Sequence, residues 1–418
     1  MKVLWITNIV FPEANELITG NKGFKSSGGW LIGMLEAIKQ NFEVKFYTAT
    51  ASNIVSHITL VQGPMADHYI FPREKGAGYV KKYETYWRRI INEVHPDIVH
   101  IHGTELPHSL PCIKIFPNEN YVVSIQGLIS EIGKHYNDGL NLWDVLKNIT
   151  LRDLYKKDLF RAQIEFKKRG NTEIEVLKSV RHVIGRTSWD YAITKSINPD
   201  LIYHVGNEAL RAPFYTGEWT YKNCVPHTLF LSQVGFPYKG FHILIKSLPL
   251  VLRQYPDLQV RVTGPDVIRS NGGWKTKIRM NGYGRLLNNL IKETGLEKHI
   301  SFLGFLDAEQ MKNEYLKTNV FVSCSSIDNS PNSLGEAQML GVPCVASFVG
   351  GVPDMIPNDN CGLLYRFEDY QKLAFNIIEI FSHSNTFDNS EMRKVAGERH
   401  DRVRNASGMI DIYKSIIK

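Results

Sequence analysis

The chain has 418 residues, 43% of them hydrophobic and 22% charged, and carries a formal net charge of +7. That length exceeds what one core usually holds and predicts two domains of about 200 residues each, and the ordinary composition marks a globular protein. The modest positive charge argues only for anionic small ligands or a weak affinity for anionic membrane surfaces; no recognised nucleic-acid motif accompanies it, so no nucleic acid partner is expected.

A strand is predicted at once, over 3–8 in MKVLWITN, which leaves no room for a signal peptide. No apolar run approaches the roughly 18 residues that a membrane span needs, so cytoplasmic residence is expected. Further strands are predicted at 42–48, 98–103, 121–127 and 182–187, with helix-like stretches between them. A polar linker follows at 212–227. The alternation then restarts at 228–234, 259–264, 300–304, 320–324 and 343–348. Two successive β/α alternations imply an α/β protein with two doubly wound, parallel, Rossmann-like sheets, facing across a polar cleft and joined by a hinge. Five cysteines, Cys112, Cys224, Cys324, Cys344 and Cys361, show no metal-binding spacing and read as buried thiols in a reducing compartment.

Ligands bind such sheets outside the carboxyl ends of the strands, which directs attention to three junctions. The first is Ser26-Ser27-Gly28-Gly29-Trp30, at a helix start. Glycines there let backbone amides approach an anion closely, or let the helix pack tightly. The second is the loop Gln233 to Gly240, where Lys239 could neutralise a diphosphate as a compact point charge or could simply be an exposed turn lysine. The third is SSIDNSPNSLGEAQMLG, 325–341, which sets Asp328 and Glu336 eight positions apart around a helix start. Unpaired amides and the helix dipole suit phosphate, and a carboxylate can hold sugar hydroxyls. The same residues also fit plain capping, with Ser330 as N-cap before Pro331, or a Ser333 to Glu336 capping box.

Several other residues stand near strand ends. His100 and His102 alternate along one strand, so only one of them is expected to face the cleft, and His102 lies nearer the end. Arg186 could pair with Asp190 four residues on. Glu208 and Arg211 could line the cleft or fix the hinge. The run 151–170 is basic, with Leu151, Leu154, Leu159, Phe160, Ile164 and Phe166 as apolar positions; it reads as one amphipathic helix that either rests on anionic lipid or presents a solvated face. Arg269, Lys275, Lys277, Arg279 and Arg285 form a second basic stretch, read as a solvated loop and helix face, with contact to acceptor phosphate as the alternative.

The order of Lys239-Gly240, GPD at 264–266, FLGFL at 302–306, the 328–347 block and GGVPDMI resembles the retaining glycosyltransferases of family 4, which have the GT-B fold. KVLWITN, SSGGW, DIVHIHG and GRTSWDYA look like the members that assemble bacterial polysaccharides. The resemblance spans nearly the whole chain and implies an acceptor-side domain over 1–211, a hinge over 212–227, a nucleotide-sugar domain over 228–395, and a C-terminal helix over 396–418 that could cross back to the first domain. It implies transfer of a hexose or N-acetylhexosamine from a nucleotide sugar, with a UDP-sugar the common donor, to a glycan or lipid-linked acceptor. The enzyme would be cytoplasmic or peripheral at the inner face of the membrane. No metal or other cofactor is implied, and the absence of any Asp-x-Asp fits that habit.

By position, Glu336 matches the glutamate that holds the ribose hydroxyls, and Asp328 stands where the family usually has the glutamate that bonds the transferred sugar. Lys239 matches the diphosphate lysine. Amides over Ser330, Asn332, Ser333 and Leu334 would face the phosphates, and Gly28 and Gly29 match the glycine loop of the first domain. Three departures stand out: Val234 replaces a common Arg, with Arg261, Arg285 and Arg186 as substitutes; Gln126 replaces a common His and could hydrogen-bond sugar or acceptor; Asp328 is one methylene short. His102 and Arg186 remain acceptor-side candidates. Two other classes stay open, a sugar-nucleotide epimerase of the same fold and a non-catalytic sugar-nucleotide-binding protein.

Overall fold

The computed structural model describes residues 1–21, 28–76, 78–156, 158–268 and 280–417. By its internal contacts the chain forms two compact units. The first comprises Met1–Ser130, Lys168–Arg211 and Arg399–Lys418, and the second Glu131–Lys167 and Ala212–Glu398.

In the first unit the described residues form the strands β1 (Lys2–Thr7), β2 (Lys45–Ser52), β3 (Thr59–Gln62), β4 (Asp67–Pro72), β5 (Ile98–His102), β6 (Tyr121–Ser124), β7 (His182–Gly185) and β8 (Ile202–Val205). They lie in the order β3-β4-β2-β1-β5-β6-β7-β8, parallel except for β3 against β4. Val3, Leu4, Trp5 and Ile6 on β1 are all fully buried, as a strand covered on both faces requires.

In the second unit the strands are β9 (Thr228–Leu231), β10 (Gln259–Val262), β11 (Ile300–Phe302), β12 (Val320–Ser323), β13 (Cys344–Ser347) and β14 (Leu363–Tyr365), in the order β11-β10-β9-β12-β13-β14. Each named pair is parallel. This is the 3-2-1-4-5-6 order of a dinucleotide-binding sheet, whose direction of winding reverses between β9 and β12. The equivalent reversal in the first unit lies between β1 and β5.

The strands expected at ten places are present, each slightly shorter at its carboxyl end or shifted by a few residues. β3, β4, β8 and β14 were not read from sequence: β3 and β8 are part-exposed, and β14 has three residues. The stretch 212–227 is not a loose polar linker. Phe214, Trp219 and Cys224 are buried in a core cluster of the second unit, and the Trp219 indole donates to the Thr318 carbonyl at 2.7 Å. Residues 131–167, expected within the first domain, pack in the second unit because Tyr136, Val145 and Leu159 join its main core. The basic run is two helices, Leu151–Tyr155 and Leu159–Ser179; a break at Lys156 precedes Asp158, whose carboxylate accepts from the Arg161 amide. The last helix, Arg402–Ile417, belongs to the first unit, where the Tyr413 hydroxyl meets the Trp5 indole at 3.0 Å and His100 Nδ1 at 2.6 Å.

Candidate functional site

In the second unit the residues singled out by sequence converge at the β9/β12 reversal. β9 runs into the turn Pro237–Lys239, and Gly240 then starts the helix Phe241–Leu252. Gly240 has φ +70°, and a Cβ there would come within 1.7 Å of the Cys324 carbonyl oxygen, so only glycine lets this turn close on the end of β12. The Ser326 amide donates to the Tyr238 carbonyl at 2.7 Å and the Cys324 thiol to that of Lys239 at 3.3 Å. On the other side the Gly351 amide donates to the Asp328 carbonyl at 3.1 Å, and a Cβ on Gly350, φ +50°, would lie 2.0 Å from that oxygen.

Held this way, Lys239 Nζ donates to Asp328 Oδ2 at 2.8 Å, and Ser325 Oγ donates to the same oxygen at 3.1 Å. Burial pulls the Lys239 ammonium down, and the Asp328 carboxylate with neighbouring Tyr238 more than offsets it, so its pKa sits above the ordinary lysine value and the group is charged at neutral pH. Lys239, Asp328, Ser325, Ser333, Ser232 and Gln233 help to line a pocket. Lys239 is the single cation among its lining residues.

The helix Asn332–Leu340 starts beside this pocket with Pro331 as its N-cap and without a side-chain cap. Leu334 and Gly335 amides bond the Pro331 carbonyl, at 2.9 and 3.2 Å. Neither capping alternative is therefore realised: Pro331 occupies the cap itself, and Ser330 turns inward, its hydroxyl 3.5 Å from Met355 Sδ. Glu336 is buried one turn into the helix, 3.4 Å from the Tyr315 hydroxyl, which donates to the Ser333 carbonyl at 2.9 Å. Tyr315, on the helix Ala308–Lys317, was not picked out from sequence. A buried Tyr at helical spacing reads as core, and nothing local reports its partner.

None of the three arginines considered in place of one at Val234 lines this pocket. Arg261 is bound to Glu314 at 2.6 Å, Arg285 donates to the Ile149 carbonyl, and Arg186 belongs to the first unit. Val234 itself is buried in the core. Of the second basic stretch, Arg269, Lys275, Lys277 and Arg279 lie outside the described residues.

The first unit holds Gly28, Gly29, His102, Gln126 and Arg186. Gly28 caps the helix Gly29–Asn41; added Cβ atoms would meet the Ile9 side chain at 2.1 Å from Gly28 and the Arg211 side chain at 2.5 Å from Gly29. Ser26 and Ser27 lie outside the described residues. His100 and His102 share one face of β5, with ring centroids 3.8 Å apart, because strand side chains repeat every two residues; the expectation that only one could face a given side is corrected. His100 bonds Tyr413 and Ser124, and burial pushes it down to about 3. His102 is 2% exposed, packs against Trp5 and Trp30, and neither ring nitrogen has a hydrogen-bond partner among the described residues. Burial, then His100, holds its pKa well below the ordinary value.

Arg186 does not use its guanidinium on Asp190. Its backbone amide meets that carboxylate, at 2.9 Å, whereas the guanidinium binds Glu208 at 2.6 Å and the Ile125 and Gln126 carbonyls at 2.9 and 3.0 Å. Gln126 Nε2 donates to Glu208 Oε1 at 3.1 Å. Arg186 and Glu208, with Trp30, His102, Ser124 and Asn207, help to line a second, small pocket.

Residues 226–401 match the protein family described as Glycosyl transferases group 1. The chain is 28% identical over 160 residues to spore coat protein SA of Bacillus subtilis, covering 37% of this chain and 39% of that one. It is 24% identical over 182 residues to a D-inositol 3-phosphate glycosyltransferase of Corynebacterium urealyticum, covering 43% and 40%. The matches thus span about two fifths of these relatives' own length. Among solved structures, HepE of Anabaena in complex with UDP-glucose superposes with a TM-score of 0.67 at 15% identity, over 99% of this chain and 100% of that one. The fold is GT-B-like, α/β with two parallel-sheet, Rossmann-like domains. All five cysteines are buried and unpaired. Among the described residues no helix is long and apolar enough to cross a membrane, and no cluster of three or more His, Cys, Asp or Glu could hold a metal ion.

Proposed function

We propose that the protein is a retaining glycosyltransferase of family 4 type, moving a hexose or N-acetylhexosamine from a nucleotide sugar to a glycan or lipid-linked saccharide. The observation that carries this is the Lys239–Asp328 pair at the β9/β12 reversal, beside a helix start with no side-chain cap and with Glu336 one turn inside it. A diphosphate set against that helix end meets backbone amides, the positive end of the dipole and the Lys239 ammonium. It takes over the ammonium from Asp328, whose carboxylate is then released to accept from sugar hydroxyls. Glu336 holds the ribose. The acceptor oxygen attacks the anomeric carbon on the face from which the diphosphate leaves; the carbon–oxygen bond to phosphate breaks as the new glycosidic bond forms, and the acceptor proton passes to a departing phosphate oxygen.

Catalysis then rests on positioning and on Lys239 stabilising the leaving charge, a contribution of about 3–4 kcal/mol for one well-placed group. We assign no metal to the step. A UDP-sugar is the expected donor; the structural relative HepE was solved with UDP-glucose. The pocket around His102 is assigned to the acceptor side, with Arg186 and Gln126 fixing its wall through Glu208. An epimerase is not favoured, since the matched family is one of transferases.

Incubation with a panel of nucleotide sugars and saccharide acceptors tests the proposal. Release of nucleoside diphosphate that depends on acceptor supports transfer, interconversion of the sugar without release would indicate an epimerase, and saturable binding alone a non-catalytic protein. Glu336→Ala should weaken donor binding; unchanged donor affinity and transfer in that variant would remove the site assignment.

A further inference from the structure

The segment 142–164 of the second unit carries seven large apolar side chains that the folded chain leaves exposed: Leu142, Trp143, Leu146, Leu151, Tyr155, Phe160 and Ile164. Seven within 23 residues, among 24 exposed large apolar side chains on the described residues, is a concentration along the chain rather than even scatter. Trp143 is 77% exposed, Leu151 68% and Tyr155 90%.

The backbone beneath these side chains is firmly built. Leu142–Lys147 and Leu151–Tyr155 are short helices, and each begins with a complete capping box, Asn141 with Asp144 and Thr150 with Asp153. The opposite side is anchored, since Val145 and Leu159 enter the main core of the unit and the Asn289 amide donates to Asn148 Oδ1 at 2.9 Å. The apolar groups are therefore held outward by a fixed platform, which argues against a frayed element that merely lacks a partner.

Charge decides the occupant. Lys147, Lys156, Arg161 and Lys167 are exposed along the same stretch, while of the acidic residues Asp144 and Asp153 are engaged in capping boxes, Asp158 is committed to the Arg161 amide and guanidinium, and Glu165 is half-buried. Protein interfaces are depleted in lysine at their centres, whereas a surface with Trp and Tyr among Leu and Ile, interspersed with lysines, fits the headgroup level of an anionic bilayer. We infer that the helices Leu142–Lys147 and Leu151–Tyr155, with the first turns of Leu159–Ser179, dock on an anionic membrane surface, Trp143, Leu151 and Tyr155 entering the interface and the lysines meeting lipid phosphates. This surface extends beyond the single basic helix read from the sequence, because Leu142, Trp143 and Leu146 come from a separate element. The inference stands on exposure and charge and does not depend on the donor-site reading.

The test is co-sedimentation of the full chain with phosphatidylcholine vesicles, with and without phosphatidylglycerol, in low and high salt. Binding should require phosphatidylglycerol, weaken with salt, and fall about tenfold or more in the triple variant Trp143→Ser, Leu151→Ser, Tyr155→Ser. The variant should keep the wild-type unfolding midpoint and nucleotide-sugar binding, since the three side chains are exposed. Absence of wild-type binding, binding indifferent to lipid charge, or equal binding by the variant would each overturn the inference. So would a wild-type dimer in solution that the variant converts to monomer, which would mark the patch as a contact between copies.

Discussion

The two pockets lie at equivalent places, each outside the carboxyl ends of a doubly wound sheet near its reversal point, yet they treat charge in opposite ways. In the first unit Arg186 spends its guanidinium on Glu208 and two carbonyls, Gln126 is tied to the same carboxylate, and a neutral His102 stands with neither ring nitrogen bonded. In the second, Lys239 keeps a charged ammonium against one carboxylate in a pocket that has no other cation among its described lining residues. One site closes its charges into structure. The other holds a pair that an incoming anion could split, which is why the donor is assigned there.

Breaking the buried pair should give the largest effect. Arg186→Met strands Glu208 in the interior and should cost about 3–5 kcal/mol in denaturant unfolding; a loss below about 1 kcal/mol would show that the first pocket is less closed than its geometry implies. Acid should separate the units almost as strongly. His100 sits at about 3, His108 and His400 at about 4, and His102 well below its ordinary value, all four in the first unit, whereas His242, at about 3, is the buried one with a lowered value in the second. Since these folded values lie below the unfolded value of about 6.5, the unfolded chain binds more protons below that pH. Stability is then complete above about pH 6.5 and is lost as pH falls toward the folded values. Between pH 7 and about 5.5 each histidine removes roughly 1 kcal/mol, roughly 4 in the first unit against roughly 1 in the second. Hydrogen exchange resolved by unit measures this, and equal losses would contradict it.

Lys239→Ala should lower turnover about 10²–10³-fold, with a smaller loss of stability than Arg186→Met, because this pair keeps more contact with solvent. A large loss of stability with intact turnover would reverse the roles of the two pockets. Asp328→Glu should have the smallest effect, changing relative kcat/KM among nucleotide sugars by about tenfold, the range one methylene commands. Unchanged ratios would remove Asp328 from donor choice.

Much of the second unit's site was legible because its signals are local. A strand, a Lys-Gly turn and an acidic pair around a helix start are separated by few residues, and a turn closed by Gly240 leaves Lys239 few places to go. Legibility failed where partners are distant in sequence. Arg186 was paired on paper with Asp190 at helical spacing, whereas the fold brings in Glu208 from beyond β8. His100 and His102 were separated although the pleat keeps them together. Tyr315 carried no signal beyond an apolar position.

By itself the sequence determined the two β/α alternations and the residues that terminate their strands, because burial on both faces of a parallel strand demands an apolar run and its end demands a turn. Tertiary structure alone decided that residues 131–167 pack in the second unit, that Phe214 and Trp219 make a supposed linker part of a core, and that Trp143 and Tyr155 face outward. An apolar residue in a short helix is equally ready to be buried or exposed. Which it becomes depends on surfaces contributed by residues a hundred positions away, such as the helix Gly282–Glu293 against Leu142–Lys147, and no periodicity within the segment records them.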